Sequence, residues 1–433
     1  MRDLILLLAL LGIGAMTIRV PLIGLLAWIW VSVMNPQREV YGFLSGAQIN
    51  VFIALLTAAS WIASKERKTL PSNATTGLLL TFMAWTWITT LFALNVHLSE
   101  PLWERTAKSI VLALAVATLV NSASRAQAIV WAIVISLGYF AVEGAGIVIA
   151  SGGQSKVFGP EDSMIADNNQ LGLALVVMLP LMNYLRVTSK MPIVRLTLLA
   201  SIGLAVIAIF GTYSRGALLA LGVTVLANAV RSKSGLVLLF IGAVILVSAP
   251  SFLPQAWVAR MQSIQSYSKD DSFAGRVAAW KTSINVVKAR PLVGGGFASI
   301  EDNKTANDYS APGSLTEGKA AHSIYFEVLG DHGIPGLVLY LLIVGSALLN
   351  TRAVIKASSK EPTLEWANRL AKALQVSLLA LLVGGAALSM AYYDVFLVLM
   401  GLTAALALTV KVNKPSFALS GFAPKWKRTP AFN

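Results

Sequence analysis

The chain alternates long apolar runs with short polar breaks almost from end to end. A helix needs about 20 residues to cross a hydrocarbon core of about 30 Å, and runs of roughly that length recur here. The pattern predicts spans at 4–18, 20–34, 48–63, 75–93, 106–120, 127–149, 168–185, 193–212, 215–230, 234–250, 333–350, 373–391 and 394–410. The first two are short enough to be one interrupted element, so the expected count is 12 or 13. Strands of an outer-membrane barrel would show short alternating segments instead. The first run continues into the second after Arg19 without a small-residue cleavage site, which predicts a retained hairpin or broken helix rather than a signal peptide. No internal repeat and no low-complexity segment is evident.

Composition agrees with the pattern. Of 433 residues 56% are hydrophobic and 12% charged, and the mean hydropathy of +0.71 excludes a soluble domain of this length. The expected fold class is all-α and polytopic. Net charge is +14, and its distribution turns it into a topology signal, since cytoplasmic loops carry the excess of Lys and Arg. Lys65, Arg67 and Lys68, then Arg125, then Arg186, Lys190 and Arg195, then Arg231 and Lys233, then Arg352 to Lys372, all fall on one side of the predicted spans, as does the tail with Lys414, Lys425, Lys427 and Arg428. A nucleic-acid partner would need such residues gathered on a soluble face; the expected partner is the lipid bilayer.

Four regions follow: an N-terminal helical bundle over 1–250, a large outer loop over 251–332, C-terminal spans over 333–410 and a basic cytoplasmic tail over 411–433. Within the loop, "SFAGRVAAWKTSINVVKARPLVGGGF", residues 272–297, reads as an amphipathic helix ended by Pro291 and a glycine turn. Arg276 and Trp280 are four apart and share a face. The chain has no cysteine, so packing must hold this loop.

An enzyme facing outward has no ATP or nucleotide sugar to hand, so group transfer there needs an activated donor carried in the membrane. A lipid-linked diphosphate sugar meets that need. Its leaving group develops negative charge, which a guanidinium fork suits, and the acceptor hydroxyl needs a base near neutral pH. "GTYSRGALLAL", residues 211–221, places Arg215 at an outer helix start beside Tyr213 and Ser214. A snorkelling anchor is the alternative use of such an arginine. Arg276 is either a phosphate ligand or an ordinary solvated loop charge. His322 precedes Ser323 and Tyr325 in "KAAHSIYFEVLGDHGIPG", residues 319–336, and is either structural or a base. His332 in the same stretch suggests use in a turn or cap, and His97 an interfacial place. Asp167, with Asn168 or Asn169, either caps the helix that follows or offers a carboxylate to the site. No spacing indicates a metal site.

These features resemble the O-antigen ligase and polymerase superfamily of bacterial envelope glycosyltransferases. Its members carry an outer "SRG" at a helix start, a late loop with Arg and Trp before "PLxGxG", and a His with Asn or Ser before "GxxGL". Here those are Ser214, Arg215 and Gly216; Arg276 and Trp280 with residues 291–296; and His322, Ser323, Gly333, Gly336 and Leu337. More narrowly, "MRDLILLL", "WIWVSVMNPQREVYGF", "TTLFALN" and "DNNQLGLAL" are similar to a group of O-glycosylation ligases associated with exosortase A systems.

The resemblance covers residues 1 to about 350. It implies a GT-C-like membrane glycosyltransferase of the bacterial inner membrane, using neither metal nor cofactor, with a periplasmic site and an undecaprenyl-diphosphate-linked glycan donor. The acceptor is a hydroxyl of a glycan, a lipid or a protein, attacked with inversion. His322 would activate it while Arg215 and Arg276 hold the diphosphate, with Asp167, Asn168, Tyr213, Trp280, Ser323 and Tyr325 in support. Ser323 stands where the superfamily commonly has Asn. A lipid-linked glycan transporter, or a non-catalytic component of a polysaccharide or exosortase system, remains the other class.

Overall fold

The computed structural model describes residues 2–230, 271–310 and 317–412, with residues 235, 237, 242, 244, 254, 255, 257 and 258. The expected span over 234–250, the first part of the large loop and the basic tail lie almost wholly outside the described residues. Every regular element among those described is helical. We number them α1 Arg2–Arg19, α2 Pro21–Met34, α3 Ile49–Ala63, α4 Ala74–Leu91, α5 Val96–Leu119, α6 Ala123–Ala150, α7 Asn168–Thr188, α8 Pro192–Gly211, α9 Arg215–Ala229, α10 Asp271–Ala289, α11 Asn303–Tyr309, α12 Ile324–Ser358, α13 Glu365–Gly385 and α14 Asp394–Val412.

Among the described residues seven helices (α4, α6, α7, α8, α12, α13 and α14, α13 taken with the short turn before it) are long and apolar enough to cross a membrane, and α2, α3 and α9 are shorter apolar helices. The chain is a multi-pass membrane protein. The first two expected spans are separate helices broken at Val20, where Pro21 starts α2. They form a hairpin: Asp3 at the start of α1 accepts from Leu44 N beyond the end of α2.

Helix starts follow local chemistry. Asn73, Asn95, Ser122, Asp167 and Ser214 each accept from a backbone N–H two or three residues on, meeting donors that the first helical turn leaves open. The centre of the bundle is α7 and α14, with 78% and 83% of their spans buried, against 22% for α8 at the periphery. Gly401 of α14 lies directly on the α5 backbone, the close approach that small residues permit between membrane helices.

Contacts gather the short basic loops at one end. Arg125 pairs with Glu66, Arg369 donates to Val187 O and Asn350 to Thr75 Oγ1. At the opposite end lie the turns at 35–48, 150–167, 212–214 and 386–393 and the described part of the large loop.

The last of these regions is tied to a break in α12. That helix begins at Ile324, well before the expected start at 333, and Gly333 interrupts it with φ 67° and ψ −169°, a conformation open to glycine. The break releases backbone groups that lipid cannot satisfy. The turn after α10 meets them: Ile334 N donates to Pro291 O, Gly295 N to Gly330 O and Gly296 N to Asp331 O. The "PLVGGG" stretch is therefore a plug for the broken helix. His332, expected in a turn or cap, is instead a core residue beside the break; its Nδ1 lies 2.7 Å from Thr89 Oγ1 and its ring meets Phe82, Phe297 and Tyr392 edge-on.

Gly401→Val would place atoms against the Ala113 carbonyl, which even a Cβ would overlap. The expected cost is about 1–3 kcal/mol, seen as a lowered melting temperature of the purified protein in detergent.

Candidate functional site

The site is built around the segment 386–393, which joins α13 to α14 and belongs to no helix. Four elements reach it. From α10, Arg276 Nη1 donates to Ala387 O at 3.2 Å. From α7, Gln170 Nε2 donates to Ser389 O at 3.0 Å. His322 N donates to Ser389 Oγ at 2.9 Å, and Ala391 N donates to Glu327 of α12 at 3.1 Å. α9 approaches the same segment, since a Cβ on Gly216 would lie 3.8 Å from the Ala387 side chain.

His322 is held on both sides. The preceding carbonyl, Ala321 O, accepts from Trp280 Nε1 at 2.7 Å, and Trp280 stacks on Phe326 with ring centres 5.1 Å apart. Between these anchors His322 has φ 46°, the left-handed region that a non-glycine residue adopts at a cost of about 1–3 kcal/mol. The fold thus fixes the direction in which the imidazole leaves the backbone. Burial pushes its pKa below the ordinary histidine value, the Arg276 guanidinium adds to that, and the Asp167 carboxylate opposes both. The downward shift favours the neutral ring, the form that accepts a proton.

Asp167, Asn168, Tyr213 and Arg215 meet at adjoining helix starts. Asp167 caps α7 by accepting from Asn169 N at 2.9 Å, so it serves as a cap and also acts on His322. Asn168 Nδ2 donates to Thr212 O. Tyr213, at φ 56°, donates its hydroxyl to Gly153 O at 2.7 Å and braces the 150–157 loop. Ser214 caps α9, and Arg215 follows it, partly exposed. Ser323 precedes α12 and is buried, but its side chain makes no cap. Tyr325 donates to Leu382 O of α13 at 3.1 Å.

Asp167 and Arg276 are therefore each within electrostatic reach of His322, and Arg215 starts the helix that runs past the same segment. Asn168, Tyr213 and Tyr325 have side-chain hydrogen bonds to backbone carbonyls, as supports. Sequence reasoning missed Gln170, Glu327 and Ser389. The polar stretch "LSMAYYD" within an otherwise apolar region was the available signal; the acceptors at Ala387 and Ser389 are carbonyls, which no residue type announces.

Ser389→Ala removes the acceptor of the His322 N–H. The expected result is a loss of about 1 kcal/mol of stability and faster amide hydrogen exchange confined to residues around 322, read by mass spectrometry.

Residues 1–190 match a family of unknown function (DUF5935). No curated protein matches the chain. Residues 199–341, which contain Arg215, Arg276 and His322, match the O-antigen ligase family, and this supports a membrane glycosyltransferase of the ligase and polymerase superfamily.

Proposed function

We propose that the chain transfers a glycan from undecaprenyl diphosphate to an acceptor hydroxyl at the periplasmic face of a bacterial inner membrane. The observation that carries this reading is the fixed His322 beside Arg276 on segment 386–393, with the Asp167 carboxylate acting on the same imidazole and the helix that Arg215 starts approaching the segment at Gly216. As the acceptor oxygen attacks the anomeric carbon, its proton passes to the His322 imidazole. The bond from that carbon to the diphosphate breaks on the opposite face, its electron pair leaves with the lipid diphosphate, and the configuration inverts. Arg215 and Arg276 offset the charge that builds on the leaving group. The narrower likeness to exosortase-associated O-glycosylation ligases favours a protein or exported polysaccharide as acceptor.

His322→Ala is expected to lower transfer by about 10²–10⁴-fold with protein level unchanged, and cells carrying it should accumulate lipid-linked glycan. Wild-type activity in this variant would overturn the assignment.

Charge changes around His322 should move the acidic limb of the pH–rate profile in opposite directions. Asp167→Asn removes the group that raises the His322 pKa, so the limb moves to lower pH; Arg276→Gln removes a group that lowers it, so the limb moves to higher pH. Identical limbs in the two variants would exclude His322 as the base.

A further inference from the structure

The segment that holds His322 ends at Asp394, and Asp394 opens on a second cavity, of about 140 Å³, between the end of α2, the start of α3, α5 and the start of α14. Its inner wall is Trp28, 6% exposed, and Asp394, 8% exposed. Asp394 accepts from Ser109 Oγ and feels the charge of Arg105. Lys108, paired with Glu104, the Arg38–Asp162 ion pair at 3.2 Å, and Ser32, Asn35 and Asn50 complete the lining. Gln37 also faces it, and its Oε1 is buried without a hydrogen-bond donor among the described residues. None of these groups takes part in the proposed transfer step.

The lining narrows the ligand. A hydrocarbon chain would strand the buried carboxylate and amide. Nucleotides and other drug-sized ligands fill pockets of ~300 Å³ and above. A bare phosphate would meet Asp394 at the back of the cavity. A single sugar ring fits each group: its hydroxyls donate to Asp394 and to the open Gln37 oxygen, accept from Arg105 and Lys108, and its C–H face lies against an indole.

We infer that this cavity is a saccharide subsite holding one hexose ring of a glycan chain. His322 is not among its lining residues, and the two are joined through the segment that runs from Ser389 to Asp394, so a glycan seated here is held by groups other than those of the reacting centre. The inference rests on the proposed reaction only for the origin of the sugar.

The test is ligand-observed saturation-transfer NMR on the full chain in nanodiscs, with the methyl glycosides of glucose, N-acetylglucosamine and glucuronic acid as probes and inorganic phosphate as competitor. At least one glycoside should receive saturation from the wild type, and Arg105→Gln and Asp394→Asn should each weaken its binding by about tenfold. Asp394→Asn also disturbs the contact between α5 and α14; Arg105→Gln decides if that variant does not fold. Undiminished signal in Arg105→Gln, no signal from the wild type, or displacement by phosphate each overturns the subsite. The readout needs no turnover, so saturation that Arg105→Gln weakens supports the subsite even in a chain that transfers nothing, a result that would overturn only the reaction.

Discussion

Irregular backbone at membrane depth has no water to satisfy it, so each freed N–H and C=O must find a partner within the protein. Segment 386–393, at one end of the bundle and buried over 390–393, meets the same demand where protein rather than lipid excludes water. Its carbonyls are taken by Arg276 and Gln170, its Ser389 hydroxyl by the His322 amide, and its Ala391 amide by Glu327. The groups that close the backbone are thus the groups that gather the candidate site. Arginine suits this double use, because its five donors let one serve a carbonyl while others remain directed elsewhere.

The break at Gly333 applies the same constraint a second time. Its open groups are closed by the turn at 291–296, and Tyr392 donates to the buried Asp331 at 2.9 Å. This joins the large loop, the first part of α12 and the α13–α14 segment into one hydrogen-bonded body. The placement of α10, and with it Arg276 and Trp280, follows from that body together with a small apolar cluster in which Ala279 and Val286 meet Ile300 and Ala321.

Much of this was legible from residue order. Apolar run length located most of the helices, because crossing a bilayer fixes a length, and "SRG", "RVAAW" and "AAHS" marked side chains that gather at one end. What stayed hidden has a physical cause. The start of α12 at Ile324 was masked by Glu327, Asp331 and His332, polar residues that suggest loop until their buried partners are known. Asp167 read equally well as cap or carboxylate, and it is both, since capping engages one carboxylate oxygen and leaves its charge in place. Residues 386–391 were expected inside the span 373–391, but the helix ends at Gly385, and the segment's contribution comes largely from main-chain atoms that no residue type announces.

That segment leaves the ribosome after every element that settles on it. Helices α1 to α12 can enter the bilayer and pack, yet the surface on which His322 and Arg276 settle does not exist until α13 and α14 follow. A chain halted earlier in synthesis holds its motifs in sequence but has no floor beneath them. The candidate site is therefore completed only when α13 and α14 pack, and its parts stay apart in a half-inserted chain.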